Sequence, residues 1–341
     1  MFKLPSLSFW NLIPLLTLLI FIIPILIVVF SLFSGFSENI NHIFNYLLFE
    51  YVSNSLILVI GVSFLVFLIG VSTAWLVTNY SFYGKNFFEW ALILPLAIPP
   101  YILAYTFTGL FDNSGTLNNL ARDIFFLDES TVLFPNVRNI YGGIIIFAFT
   151  LYPYLYLLAR MSFLNQSKSM IESGIMLGLN QFQVFYKVAL PLIRPAIIGG
   201  LMLVSMEVLS DFGAVEHFAI PTFTTGIFRT WQGMYDLTSA MQLASILLII
   251  ITVFIVAERK SRRGAIYSPQ SSNFKPIKEV KLKGIKSAIA FCICFIPILI
   301  GFILPVFELS IWAFSYNTAF FSEKFIQTAL NTIIVSISAA V

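Results

Sequence analysis

Residues 12–33 read LIPLLTLLIFIIPILIVVFSLF, with no charged side chain among them. A helix needs about 20 mostly apolar residues to cross a bilayer, so this run predicts a spanning helix. It is too long for a signal-peptide core, only Lys3 precedes it as a basic residue, and no small-residue cleavage pattern follows. Similar runs occupy Asn54–Val77, Phe87–Phe111, Ile140–Ala159, Pro195–Leu209, Met241–Ala257 and Ser287–Phe314, and an eighth begins near Phe325.

Composition agrees. Of 341 residues, 59% are hydrophobic, 10% are charged and 37 are phenylalanine, whereas an ordinary soluble domain carries about 25% charged residues. A soluble enzyme, a nucleic-acid binder and a disordered scaffold are thereby excluded. The fold class is an all-α polytopic membrane protein. Cys292 and Cys294, at i and i+2 of one helix, point to different sides and read as buried packing residues. His42 and His217 read as solvated or interfacial residues. Pro95, Pro99 and Pro100 predict a bend in the third span.

The net charge of +3 says little, but its placement gives orientation. With a cytoplasmic N-terminus and alternating spans, the outside segments hold only Arg122, Arg138, Arg229 and Lys324 of the 19 lysines and arginines. That matches the positive-inside bias. Residues 258–286, polar and basic with Pro269 and Pro276, read as a cytoplasmic linker between two membrane units. After it the pattern restarts: Val52–Leu58 resembles Ala329–Val335, with Asn54 matching Asn331 and Ser55 matching Thr332. Repeats of this kind are a common transporter plan. The second unit is unfinished at Val341, so its remainder is expected either fused beyond or from another chain.

The cytoplasmic loop 166–191 contains two helix starts, Ser169 with Glu172 and Asn180 with Gln183, each fitting a capping box. Gly178 is expected to end the first short helix and Pro191 to stop the second. Apolar residues at Ile171 and Ile175, then at Phe182, Phe185 and Val188 or Ala189, predict one sticky face on each. The pattern leaves two readings: a helix pair resting on lipid headgroups, or a docking element for a soluble partner.

Glu172-Ser173-Gly174, Gly178, Val188, Leu190 and Pro191 resemble the loop motif of ATP-binding-cassette importer permeases: Glu-Ala-Ala, three residues, Gly, nine residues, Ile, one residue, Leu-Pro. The spacing matches at every anchor; Ser173, Gly174 and Val188 are the departures. The resemblance implies a MetI-like six-span permease half over residues 1–257 (core about 52–257, coupling loop 166–191). It also implies the linker 258–286 and the start of a second, truncated half at 287–341. It implies that Glu172 and Gly178 form the docking turn for an ATPase subunit, present in two copies, with the loop's apolar face as the knob. This sequence contains no G-x-x-x-x-G-K-[ST], so ATP and Mg are expected on that partner, no cofactor on this chain, and no enzyme activity in it. Other implied partners are a periplasmic or extracellular substrate-binding protein and membrane lipid; no nucleic acid is expected. The implied location is a bacterial inner membrane, multi-pass, N-terminus cytoplasmic.

Residues 206–231, MEVLSDFGAVEHFAIPTFTTGIFRTW, are similar to ferric-iron permeases of this superfamily, two six-span halves fused in one chain. Ferric iron is thus the implied cargo, with polyamine, thiamine and phosphonate as alternatives. Independently, Glu207 and Asp211 are four residues apart and would share one helix face. Glu207 would lie about 18 Å along a span starting near Pro195, where an ionisable group faces a bundle interior or cavity. Glu207, Asp211, Phe212 and Gly213 are therefore candidates to line the translocation path, a structural hydrogen bond being the other reading. Irregular backbone is expected at Phe212-Gly213 and at Pro221–Gly226. An ion-coupled secondary transporter is the competing class; it leaves loop 166–191 unexplained. A membrane enzyme has neither a metal motif nor a Ser/His/Asp arrangement to support it.

Overall fold

The computed structural model describes residues 9–128, 131–134, 136–166, 173–262, 279–315 and 322–340. Among them are α1 (Phe9–Phe30), α2 (Glu38–Asn79), α3 (Lys85–Ala91), α4 (Pro100–Phe111), α5 (Thr116–Phe125) and α6 (Ile140–Leu164). They continue with α7 (Gln181–Leu192), α8 (Arg194–Ser210), α9 (Gly213–His217), α10 (Phe223–Phe228) and α11 (Leu237–Arg262), then α12 (Ile285–Ser315) and α13 (Glu323–Ala340). Five are long and apolar enough to cross a membrane, and two bent pairs raise that to seven.

Both bends have local causes. The segment starting at Lys85 turns by 89° before Pro100, where Pro99 is extended (ψ 147°) and cannot continue a helix. α7 and α8 meet at 69° across Ile193. The third run is therefore a bent helix pair rather than one straight helix. Pro191 does not stop α7 directly, because the helix runs on to Leu192. A π turn at Phe185–Ala189 widens the helix just before the proline ring and relieves its clash with the preceding turn. The same device recurs in α12, where a π turn at Leu299–Ile303 precedes Pro305.

The core forms where α2, α6 and α8 converge on Leu155 of α6. A β-carbon on Gly70 of α2 would lie 3.2 Å from Leu155 Cβ, and one on Gly200 of α8 would lie 2.7 Å from Leu155 Cδ1. Lipid gives helices no hydrophobic reason to associate, so close backbone approach at small residues supplies the packing. α1 is peripheral and is tied to α11 by polar groups. Gln242 Nε2 donates to the carbonyls of Ser31 (3.0 Å) and Ser34 (2.9 Å), and Ser245 donates to that of Val28.

The far flank of the basic segment is pinned to the body. α11 extends to Arg262, and at the other end β1 (Tyr80–Ser81) pairs in parallel with β2 (Val280–Lys281). Lys85 bridges Glu279 and, at 3.4 Å, Glu89, which also holds Arg160 at 3.0 Å. α12 then packs along the earlier helices. Its Trp312 ring lies 5.4 Å from Tyr105 and against Gly109, and its buried Glu308 accepts a hydrogen bond from Thr116. No described residue of α13 is buried.

Other expectations are corrected. Cys294 is buried but Cys292 is exposed, since adjacent faces of α12 meet protein and surroundings respectively. Phe223–Phe228 is helical rather than irregular, because Thr222 and Thr225 form a capping box that nucleates α10. α8 ends at Ser210, so Asp211 is its C-cap (ψ 133°), with its N–H still donating to Glu207 O at 3.0 Å.

Candidate functional site

The loop 166–191 folds into a turn followed by α7. Glu172, with Ser169 and Ile171, lies outside the described residues, so the first capping box cannot be placed. Residues 173–176 are helical, and Leu177 N–H donates to Ser173 O at 3.0 Å. Gly178 closes this turn in the left-handed region (φ +83°). Its N–H reaches Ile175 O at 2.9 Å, and Leu179 N–H reaches Gly174 O at 3.1 Å. That is the Schellman pattern, which satisfies the last carbonyls of a helix and favours glycine. The second capping box is present: Asn180 Oδ1 accepts from Gln183 N–H at 2.8 Å, and Gln183 Oε1 accepts from Asn180 N–H at 3.0 Å.

The two faces of α7 differ from the simple periodic expectation. Phe185 does not point outward: its ring lies 5.0 Å from Trp75 of α2. Val184 and Ala189 are buried, Val188 and Leu190 are half-buried, and Pro191 is half-buried at the turn into α8. Gly174 is buried against Val184 and Val188, 3.4 and 3.5 Å from where a β-carbon would stand. Gln166 Nε2 donates to Ala189 O at 2.9 Å, closing the base of the loop. The outward face comprises Met176 (89% exposed), Leu177 (83%), Phe182 (74%) and Tyr186 (63%). Phe182 and Tyr186 stack, with centroids 6.5 Å apart and planes at 18°.

Of the residues singled out from sequence, Phe182 thus belongs to the exposed face. Phe185 attaches the loop to the body, while Gly174 packs on Val184 and Val188 within the loop. Met176 and Leu177 were missed because they sit on the short turn closed by Gly178, before α7 begins, and Tyr186 because it lies within the π turn, where regular helical spacing does not hold. Trp75 carried no signal of its own within an apolar span.

The second candidate group lies at the other end of α8, about 25 Å away by helical rise. Glu207 is exposed, with Tyr154 OH 3.5 Å from Oε1. Asp211 Oδ1 accepts from the N–H groups of Ala214 (2.9 Å) and Val215 (3.3 Å), and its carbonyl accepts from Thr224 Oγ1 at 2.6 Å. It therefore caps α9 and ties α10 to the end of α8. Phe212 stacks on Phe228 at 4.0 Å. A β-carbon on Gly213 would lie 2.9 Å from Tyr101 Cβ, so the chain approaches α4 closely there. His217 Nε2 lies 2.9 Å from Thr108 Oγ1, while His42 stacks beside Tyr46. Among the described residues no group of His, Cys, Asp and Glu converges to hold a metal ion.

Residues 66–258, from mid-α2 through α11 and so including this loop and both candidate groups, match the model of the binding-protein-dependent transport system inner membrane component. The chain belongs to this family. Its members are membrane components of transport systems rather than enzymes. The Fe(3+)-transport system permease protein FbpB 2 of Haemophilus influenzae is 25% identical over 306 residues, covering 89% of this chain and 56% of that protein. The sulfate transport system permease protein CysW of Escherichia coli is 26% identical over 54% of this chain and 64% of its own length. The molybdenum transport system permease protein ModB of Haemophilus influenzae is 24% identical over 57% of this chain and 85% of its own. The chain spans about half the length of the ferric relative. The family fold also appears in a bacterial alginate ABC transporter crystallised with its alginate-bound periplasmic protein. One of its chains aligns with a TM-score of 0.56 at 18% identity, over 74% of this chain and 94% of that one.

Proposed function

We propose that this chain is the permease of an ATP-driven, binding-protein-dependent importer, and that its cargo is ferric iron. The observation that carries the reading is the outward cluster of Met176, Leu177, Phe182 and Tyr186 on a loop fastened to the body from behind. Contiguous exposed apolar surface on an ordered element marks a partner surface. A separate ATPase, in two copies and carrying its own ATP and Mg, takes this knob. Glu172, Ser173 and Gly178 form the docking turn, while Gly174, Phe185, Val188, Leu190 and Pro191 set its pose. ATP binding draws the coupling loops together and rocks the two permease halves between inward-open and outward-open forms. A substrate-binding protein delivers cargo to the outer mouth.

The domain reading follows: residues 1–257 form one half, 258–286 the linker and 287–341 the start of the second half, in a bacterial inner membrane with the N-terminus cytoplasmic. Support for iron comes from the extent of the likeness. The ferric relative matches across 89% of the chain, whereas the sulfate and molybdenum relatives named above match over 54% and 57%. Glu207, Phe212 and Gly213 flank the path, and Asp211 holds its outer end in shape.

The test is ferric-iron uptake in cells carrying the full-length gene, comparing wild type with Gly178→Asp at equal membrane abundance. Uptake that depends on the gene and collapses in the variant supports cargo and coupling together. Uptake that survives the substitution rejects ATPase coupling in favour of ion coupling. No uptake rejects iron and turns the assay to sulfate and molybdate, then to polyamine, thiamine and phosphonate.

A further inference from the structure

We propose that Trp75 is the positioning residue through which movement of α7 enters the membrane-spanning body, an inference that rests on reading loop 166–191 as an ATPase-docking element. Trp75 sits one turn before the end of α2. Its ring centroid is 5.0 Å from Phe185 of α7, 5.1 Å from Phe163 of α6 and 6.4 Å from Tyr80 of β1. Aromatic pairs at such separations hold preferred mutual orientations and contribute beyond their buried area. One indole therefore joins three elements at one point.

What lies on either side of it is stiff. Behind Trp75, Phe163 is fully buried, and α2 and α6 pack backbone to side chain where Gly70 meets Leu155. In front, Phe185 lies in the π turn whose next residue, Tyr186, belongs to the outward cluster. Tyr80, just past the end of α2, adds a second tie by donating its OH to Gln181 Oε1 at 3.4 Å. Close-packed interiors transmit displacement rather than absorbing it. A push on Phe182 and Tyr186 thus reaches α2 and α6 together, through Phe185 and Trp75, without bending a loop.

The test uses the full-length permease assembled with its cognate ATPase and labelled with 5-fluorotryptophan. The chain has five tryptophans, and the Trp75 resonance is identified by its loss in Trp75→Phe. Adding ATP with vanadate is expected to shift that resonance in the ATPase-bound complex. In parallel, Trp75→Leu is expected to keep ATPase co-purification but lower binding-protein-stimulated hydrolysis about tenfold, with Trp75→Phe retaining most of it. A resonance that stays put in the ATPase-bound complex overturns the proposal, as does undiminished stimulation in Trp75→Leu. Loss of co-purification in Trp75→Leu overturns it too, since Trp75 then only holds the loop in shape. A wild-type permease that captures no ATPase removes the docking reading itself, and this proposal with it.

Discussion

Phe182 and Phe185 stand three positions apart in α7, where a regular helix would put them on one face, yet their surroundings differ. Phe182 is 74% exposed and stacks on Tyr186, while Phe185 meets the indole of Trp75 at 5.0 Å. The π turn at Phe185–Ala189 begins at the second of them, and Pro191 follows it. α7 thus presents one ring for attachment to the body and one ring to its surroundings.

The close approach of Gly200 to Leu155 and the looser surroundings of Gly174 predict opposite outcomes at these two glycines. Gly200→Ala forces its β-carbon to 2.7 Å from Leu155 Cδ1 and 3.1 Å from Leu155 Cα, against backbone that cannot give way. Overpacking of this kind costs about 1–3 kcal/mol, so the purified protein should melt at a lower temperature. Gly174→Ala places its β-carbon 3.4 Å from Val184, an ordinary contact, and should leave the melting temperature unchanged. Equal effects would remove the helix-convergence account.

Asp211 separates a structural from a pathway role. Its carboxylate accepts from two N–H groups at the start of α9, and loss of a capping acceptor costs about 0.5–2 kcal/mol. Asp211→Asn keeps an acceptor and should transport at near the wild-type rate, whereas Asp211→Ala should lower stability and uptake together. If Asp211→Asn alone abolishes uptake at normal abundance, the negative charge is needed on the path and the capping account is insufficient.

Acid stability should respond to Asp236, at the start of α11. Hydrogen bonds from Ser239 N–H foremost, then from the side chains of Ser239, Asn39 and Ser37, outweigh partial burial and hold its carboxyl at about 2, below the ordinary 3.8. A group with a depressed folded value stabilises fully above its unfolded value, and that contribution fades as pH falls through the folded one. Between about pH 4 and pH 2, wild type should therefore lose melting temperature more steeply than Asp236→Asn. Parallel curves would show that this cluster does not fasten the loop before α2 to α11.

Much of this was legible beforehand. Spans reveal themselves through uninterrupted apolar runs, the break in the third through Pro99 and Pro100, and the loop through Gly178 and the Asn180–Gln183 box, because each signal is local backbone chemistry. The inward turn of Phe185, the exposure of Tyr186 and the hub at Trp75 were not. They depend on a π turn, which no residue type announces, and on contacts between α2, α6 and α7 that only the packed structure supplies. Asp211 was placed correctly near the end of α8, but its capping role needed the exact residue at which that helix ends.

The central claim is that the outer face of α7 meets an ATPase while the inner face meets the permease body. Photo-cross-linking with p-benzoylphenylalanine at position 182, and separately at position 185, tests it directly in membranes containing the assembled transporter. The account predicts an ATPase adduct from position 182 and only an adduct within the permease from position 185. An adduct to lipid alone from position 182, or an ATPase adduct from position 185, would contradict it.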